Sequence, residues 1–406
     1  MTHDVFIIGG GAAGFFTAIN IATRNPNLTI AILERGKSVL TKVKVSGGGR
    51  CNVTHAQFIP KELSTNYPRG EKELLGPFHS FMTGDTITWF EERGIALKIE
   101  EDGRMFPTTN SSQTIIDCFL AETERLGIDV LKSQPVKQIL TTEDGFELVT
   151  PSETFSAKKV VVATGSNTKI WKILEALGHS IVPPVPSLFT FNIKDERIAD
   201  LPGLTTEVSV EVLSENGKTI LTSEGPLLIT HWGMSGPAIL KLSAWGARLL
   251  EPTNYFFKIK VNWLQYSSTE DVLEQLLELK LQNPKQTLQK YAQYDLPKRL
   301  WQSLLKASNI VETQTWADIS KKQLQAISEA LTQSTFNVEG KSTFKEEFVT
   351  AGGVKLKEVN FKTFESKLIP NLYFAGEVLN IDAITGGFNF QNAWTGGYLV
   401  AQAITE

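Results

Sequence analysis

The chain has 406 residues, 41% hydrophobic and 21% charged, with a net charge of −4. It is too long for one ordinary core, so two or three globular domains are expected. No lysine- or arginine-rich tail and no bilayer-length apolar run is present, which argues against nucleic acid and membrane as partners.

The first predicted elements are the most informative. Val5-Phe6-Ile7-Ile8 runs into Gly9-Gly10-Gly11-Ala12-Ala13-Gly14, then a helical stretch, then Leu28 to Leu33 and Glu34. The order strand, glycine turn, helix, strand, acid is the unit that holds a dinucleotide. Gly9 makes the tight turn, Gly11 lets the backbone approach a pyrophosphate, and Gly14 lets the helix pack close to the strand. The helix start at Ala12 and Ala13 offers free N–H groups and a positive dipole end. Glu34 is placed to accept from ribose hydroxyls and to repel a 2′-phosphate, so the adenosine half is that of FAD or NAD, not NADP. The first strand begins near residue 3, leaving no room for a signal peptide, and the cytoplasm is the expected compartment.

A second glycine loop follows, Lys42-Val43-Lys44-Val45-Ser46-Gly47-Gly48-Gly49-Arg50-Cys51-Asn52. Successive glycine N–H groups form an anion-friendly concavity. Arg50 and Lys42 can meet a pyrophosphate there, and Asn52 a flavin or substrate edge. Cys51 reads as a small buried residue rather than a covalent flavin link. Cys51 and Cys118 form no C-x-x-C, against a redox dithiol and a zinc site. Residues 71–93 and 111–126 are predicted amphipathic helices, and Ile128 to Leu131, Val136 to Thr141 and Phe146 to Thr150 predicted strands. Lys159 to Gly165 is a short apolar run ending in small residues, a buried parallel strand returning to the cofactor at Ala163, Thr164 and Gly165.

The texture then changes. Pro183-Pro184-Val185-Pro186 reads as a stiff linker. Alternating segments at Glu207 to Leu213, Lys218 to Thr222 and Tyr255 to Val261, with a Glu215-Asn216-Gly217 turn, suggest an antiparallel sheet or small barrel. Residues 269–332 are leucine-rich and helically periodic. Phe348 to Val354 and Asn371 to Glu377 return to buried strands, and Phe388 to Ile404 to a helix. The expected division is a discontinuous nucleotide-binding domain (1–187 and 341–406), an inserted β-rich substrate domain (188–267 and 333–340), and a helical subdomain (268–332).

Gly376 and Glu377 close the strand from Leu372, at the carboxyl end where open α/β sheets bind ligands. Gly376 permits close approach and Glu377 can accept from ribityl hydroxyls. Gly387, Phe388 and Asn389 begin the last helix near the pyrimidine end of a flavin, where a helix N-terminus favours negative charge. These features turn a nucleotide fold into a flavin fold. Arg35 and Val136 complete the candidate cofactor residues. His231, Tyr67 and Arg104 are the candidate catalytic side chains, with His231 also readable as a capping or core histidine. His79 is a weaker candidate. Trp171, Trp245 and Trp394 read as packing residues.

On these motifs the chain resembles the bacterial BaiN and aminoacetone-oxidase group of FAD-dependent oxidoreductases. The matching residues are Gly9–Gly14, Ser46–Asn52, Gly103–Pro107, Thr230–Pro237, Thr350–Val354, Ser366-Lys367 and Leu372–Gly387. The resemblance implies one non-covalent FAD, an inserted β-rich domain and a helical subdomain, with relatives that reduce conjugated steroid ketones or oxidise an amine. Two departures stand out: Ser166-Asn167-Thr168 replaces a longer glycine-rich loop, and Asn380 stands where many relatives have Asp. The expected activity is hydride transfer between flavin and a small organic substrate, by enone reduction or amine oxidation. Only one dinucleotide turn is present, so NAD(P)H, if it is the donor, enters through the substrate cleft. The alternatives are a flavin-dependent RNA-modifying protein, or a protein with FAD in a structural or regulatory role. A monomer or homodimer is expected.

Overall fold

The computed structural model of the protein describes residues 2–342 and 349–406. Chain contacts divide it into two units, residues 1–186 with 345–406, and residues 187–344.

The first unit is built on a parallel sheet. The strand Thr2–Ile8 lies at its centre, between Ile30–Leu33 and Thr154–Val162. Asp129–Leu131 extends one side and Leu372–Phe374 the other, both parallel. The inner strands are apolar and buried on both faces (Val5 to Ile8, Ile30 to Leu33, Val160 to Val162, Leu372 to Phe374), as a covered parallel sheet requires. Two helices, Ala12–Arg24 and the C-terminal Phe388–Thr405, pack closely against each other. A Cβ on Gly397 would lie 2.7 Å from Thr17 Oγ1, so glycine sets that approach. Rings of Phe16, Trp89, Phe119 and Trp394 fill the space beside these helices. Lys159 Nζ donates to Ile404 O at 3.0 Å, a cation at the negative end of the C-terminal helix.

Several local expectations change. The predicted helix over 71–93 is two helices, Glu71–Phe78 and Thr83–Glu91; the first stops one residue after Pro77, which has no N–H to give its ladder. The proline stretch is not a linker. It lies in a strand, Ile181–Ser187, that pairs with Val349–Val354 in a two-stranded sheet. A two-stranded sheet has only edge strands, where a proline without an N–H costs no interior ladder bond. Gly352, at φ +149°, comes so near Pro184 that a Cβ would lie 2.8 Å from its Cα. The predicted strand from Phe348 is described from Val349, and Phe348 itself lies outside the described residues. Trp171 and Trp394 are buried, as packing residues should be, but Trp245 is 43% exposed.

The second unit carries a seven-stranded sheet. Its order is Ser334–Glu339, Phe256–Asn262, Thr205–Leu213, Thr219–Thr230, Gly233–Ser235, Thr190–Asn192, Lys341–Ser342, and the pairings are antiparallel. Val208, Val210 and Val212 alternate inward. The leucine-rich stretch forms the helices Thr269–Gln282, Lys298–Ala307 and Lys321–Thr332. Their buried residues, including Leu276, Leu300 and Ile327, belong to one core with the sheet residues Val210, Ile229 and Ile259.

Gly397→Val is expected to overpack the junction of the two long helices and cost about 1–3 kcal/mol. Calorimetry should show a lower melting midpoint, and an unchanged midpoint would mean the two helices can move apart freely.

Candidate cofactor site

The first turn is fixed by backbone contact. Gly9 has φ +117°, and a Cβ there would lie 2.4 Å from Ala163 O. A Cβ on Gly14 would lie 2.0 Å from Gly9 O. Gly11 is different: a Cβ there would meet no atom within 4 Å. The first intrahelical bond runs from Phe15 N to Gly11 O, so the N–H groups of the preceding turn have no acceptor within the helix. Ala13 is buried and Ala12 is half-buried.

Glu34 ends the second strand and is anchored by backbone. Its Oε2 accepts from Gly10 N at 2.9 Å and its Oε1 from Gly36 N at 2.7 Å. Each oxygen keeps acceptor capacity for a hydroxyl. The Glu34 carbonyl accepts from Gln134 N at 2.8 Å, close in sequence to buried Val136, and Arg35 is exposed.

Three distant segments converge beside this turn. Lys42 Nζ donates to Glu377 Oε2 at 2.8 Å across 335 residues of sequence. The Glu377 carboxylate raises the Lys42 ammonium above its usual range. Gly165, at φ +59°, faces both: a Cβ there would lie 3.4 Å from Glu377 Oε2 and 3.9 Å from Lys42 Nζ. The neighbouring Thr164 hydroxyl is buried and has no hydrogen-bond partner among the described residues. Gly376, at φ +75°, would set a Cβ 3.2 Å from Ala13 Cβ.

The second glycine loop begins as a helix, Thr41–Gly49, whose regular backbone breaks at Ser46 (φ −62°, ψ 147°). Gly47, Gly48 and Gly49 then take φ of +57°, +67° and +83°. A Cβ on Gly47 would crowd Asn52 N at 2.9 Å, whereas Gly48 and Gly49 face open space. Ser46 Oγ donates to Val43 O. Arg50 is turned to neighbours: Nη1 pairs with Glu100 at 2.6 Å, and the guanidinium lies 3.9 Å over the Phe106 ring. Arg104 pairs with Asp102 at 2.6 Å. Cys51 is buried, and burial pushes its thiol up to about 12. Asn52 Oδ1 accepts from Met105 N at 3.3 Å.

The far wall is the start of the C-terminal helix. Gly387, at φ +96°, is its N-cap, and a Cβ there would fall 2.6 Å from Thr54 O and 2.9 Å from Asn52 Oδ1. The Phe388 ring stacks on His55 with centroids 4.5 Å apart. Tyr67 is fully buried, donates to Phe388 O at 2.6 Å, and is pushed well above the ordinary phenol range by burial. Its hydroxyl proton is therefore held by backbone. Asn389 Oδ1 accepts from Ala383 N at 3.0 Å. His231 lies in the second unit, exposed in the turn between Thr219–Thr230 and Gly233–Ser235. His79 is exposed.

Sequence reading missed His55, Arg69, Asp382 and Gln391. Gln391 is fully buried and accepts from Thr54 Oγ1 at 2.6 Å and Thr86 Oγ1 at 2.9 Å. Asp382 is buried and forms a two-bond ion pair with Arg69. Its signal in the sequence was a carboxylate inside the mostly apolar run from Val378 to Ile384.

Fold and turn together define a protein with a split Rossmann-type nucleotide-binding domain. The chain matches the HI0933-like protein Rossmann domain over residues 3–403 and belongs to that family. It is an FAD-dependent oxidoreductase. It is 30% identical to a ribosomal RNA dihydrouridine synthase of Haemophilus influenzae, over 98% of both chains. It is 27% identical to a 3-dehydro-bile acid delta(4,6)-reductase of Clostridium scindens, over 100% of this chain and 99% of that one. The solved 3-ketosteroid-delta4-(5alpha)-dehydrogenase of Rhodococcus jostii superposes with a TM-score of 0.53 at 12% identity, over 100% of this chain and 97% of that one, a likeness of fold. Among the described residues no helix is long and apolar enough to cross a membrane.

Three outcomes follow from this geometry. Gly11→Val should leave the stability of the flavin-free protein within about 1 kcal/mol of the parent, since the side chain enters open space, but sharply reduce FAD content after purification. Gly14→Ala should lower the melting midpoint itself. Neither cysteine should react with iodoacetamide at pH 8 in the folded protein, because burial raises Cys51 to about 12 and Cys118 to about 11 and keeps both as thiols. Both should react after denaturation, and labelling followed by mass spectrometry checks this.

Proposed function

We propose that the chain reduces a carbon–carbon double bond conjugated to a carbonyl, with FAD as its hydride carrier. The observation that carries the cofactor site is the meeting of Gly9–Gly14, Lys42, Gly165 and Glu377 around backbone that faces open room at Gly11, Gly48 and Gly49. The partnerless Thr164 hydroxyl beside it fits the same reading. The N–H groups of the first helix turn would hold the pyrophosphate, and Glu34 would hold the adenosine ribose. Lys42, Gly376 and Glu377 would meet the ribityl-phosphate stretch, and the helix start at Gly387 would lie near the pyrimidine edge. Bound FAD supplies the hydride chemistry, and the chain supplies orientation, polarity and exclusion of water.

The reaction class is supported by what two relatives are named for. One makes dihydrouridine and the other reduces a delta(4,6) bile acid. Uracil and 3-oxo-4,6-diene steroids both carry a carbon–carbon double bond conjugated to a ring carbonyl, so one hydride-then-proton addition describes both. Of the three candidate catalytic groups, Tyr67 is bonded to backbone and Arg104 is ion-paired. His231, in the second unit, is exposed and has no ring hydrogen bond among the described residues. NAD(P)H would reduce the flavin in ping-pong fashion, since the sequence carries one dinucleotide turn.

A second reading takes uracil in ribosomal RNA as the substrate. It is favoured by the 30% identity over 98% of both chains, against the acidic net charge of −4. Anaerobic stopped-flow with NADH, NADPH and a panel of amines tests the donor, and a 3-oxo-4-ene steroid or unmodified ribosomal RNA then tests the acceptor. Bleaching by a nicotinamide and reoxidation by the enone is the expected result. Reoxidation by RNA alone, with salt-sensitive binding, would select the second reading. Bleaching by an amine alone would overturn the reductase assignment.

A further inference from the structure

We propose that Arg69 and Asp382 clamp the Gly386-Gly387 turn in place against the flavin and so set its reduction potential, an inference that rests on the FAD site described above. After Glu377 the chain passes through residues 378–387 and turns at Gly386-Gly387 into the 18-residue helix Phe388–Thr405. That turn is gripped from the segment 55–70 at five points. Arg69 Nε donates to Asp382 Oδ1 at 2.6 Å and Nη2 donates to Oδ2. The backbones of the same two residues form an isolated antiparallel bridge. Ile384 N donates to Asn66 O at 3.0 Å. Tyr67 Oη donates to Phe388 O at 2.6 Å, and His55 Nδ1 lies 3.0 Å from Gly386 O. Gly70 at φ +102° lets the segments touch, since a Cβ there would sit 2.8 Å from Ile381 Cγ1.

The Asp382 side chain has 0% exposure and the Arg69 side chain 13%. A carboxylate so far from water is tolerated only with its partner held in place. The planar guanidinium fork fixes distance and angle together, which a lysine ammonium does not. What the fork fixes is the start of a long helix. Gln391 N donates to Gly387 O, so the N–H groups of Phe388, Asn389 and Phe390 have no acceptor within the helix and carry its positive end. Negative charge accumulates at the N1–C2=O edge of a reduced flavin. A helix start displaced from that edge stabilises the reduced form less. Arg69 and Asp382 are positioning residues in this scheme, acting through the turn.

The test compares wild type, Arg69→Lys and Tyr67→Phe, each with bound FAD. The midpoint potential is measured by anaerobic dye equilibration and the fold is followed by melting. Both variants are expected to keep FAD while the potential moves negative, more so for Arg69→Lys, with binding of reduced FAD weakened roughly tenfold relative to oxidised FAD. Arg69→Ala is avoided because it strands a buried charge. If Arg69→Lys does not fold, Tyr67→Phe decides alone, since it removes one hydroxyl from the same clamp. Lowered melting with unchanged potential would overturn the proposal and leave a structural staple. A wild type that cannot be loaded with FAD would overturn the cofactor reading and the proposal with it.

Discussion

Close approach of backbone to backbone at the carboxyl end of the parallel sheet is the constraint on which the first unit depends. Gly9 lies against Ala163, Gly14 against Gly9, Gly376 beside Ala13, and Gly397 against Thr17. At Gly9 and Gly14 a methyl group would overlap a carbonyl oxygen. This closeness presses the first helix onto the strand that precedes it. The N–H groups of its first turn, which have no acceptor within the helix, then stand at the carboxyl end of that central strand. Gly11, with no neighbour at its missing side chain, leaves the room those groups need to reach a ligand.

Under the proposed reading, the phosphates of FAD would be met by backbone N–H groups more than by unpaired cations. Arg50 is paired with Glu100, Arg104 with Asp102, and Lys42 with Glu377. The loop residues Gly47 to Gly49 instead take successive left-handed conformations, a backbone shape suited to an anion-binding concavity. Such a device needs no excess of basic residues and suits a chain with a net charge of −4. It also places the demand on loop shape, because an N–H group, unlike a lysine, has no flexible stem. Arg50 stacked on Phe106 and tied to Glu100 serves that shape by bracing the loop from outside the concavity.

The legible parts of this fold were those written locally. The first β-α-β unit rests on glycine spacing, apolar strands and an acid within about thirty residues, and the structure has each where the pattern puts it. The C-terminal strand and helix were legible for the same reason. Long-range pairing was not. Pro183 to Pro186 have the composition of a linker, and only their partner strand Val349–Val354 makes them part of a sheet. Nothing in the loop that carries Arg50 shows that Glu100 pairs with it from fifty residues on. The Arg69–Asp382 pair spans 313 residues and has no local pattern on either side. Its trace in sequence was one charge in a mostly apolar run.

Those long-range pairs share a direction. Lys42 reaches Glu377, Thr54 reaches Gln391, His55 reaches Gly386, Tyr67 reaches Phe388, Arg69 reaches Asp382, and Trp394 reaches back to Val53. The segment after the second strand is thus joined, contact by contact, to the final segment of the chain, with the whole second unit encoded between them. Contacts of such sequence separation form late and make folding slow, because loop closure must precede any gain from them. The wall that carries Gly387 therefore cannot form until the last helix has been made and docked. Because these bonds support one turn together, their effects should couple rather than add, as expected for neighbours in one network. The proposed cofactor site would in this sense be a property of the closed chain: its glycine turn lies near the beginning, and the helix start at Gly387 arrives with the last residues.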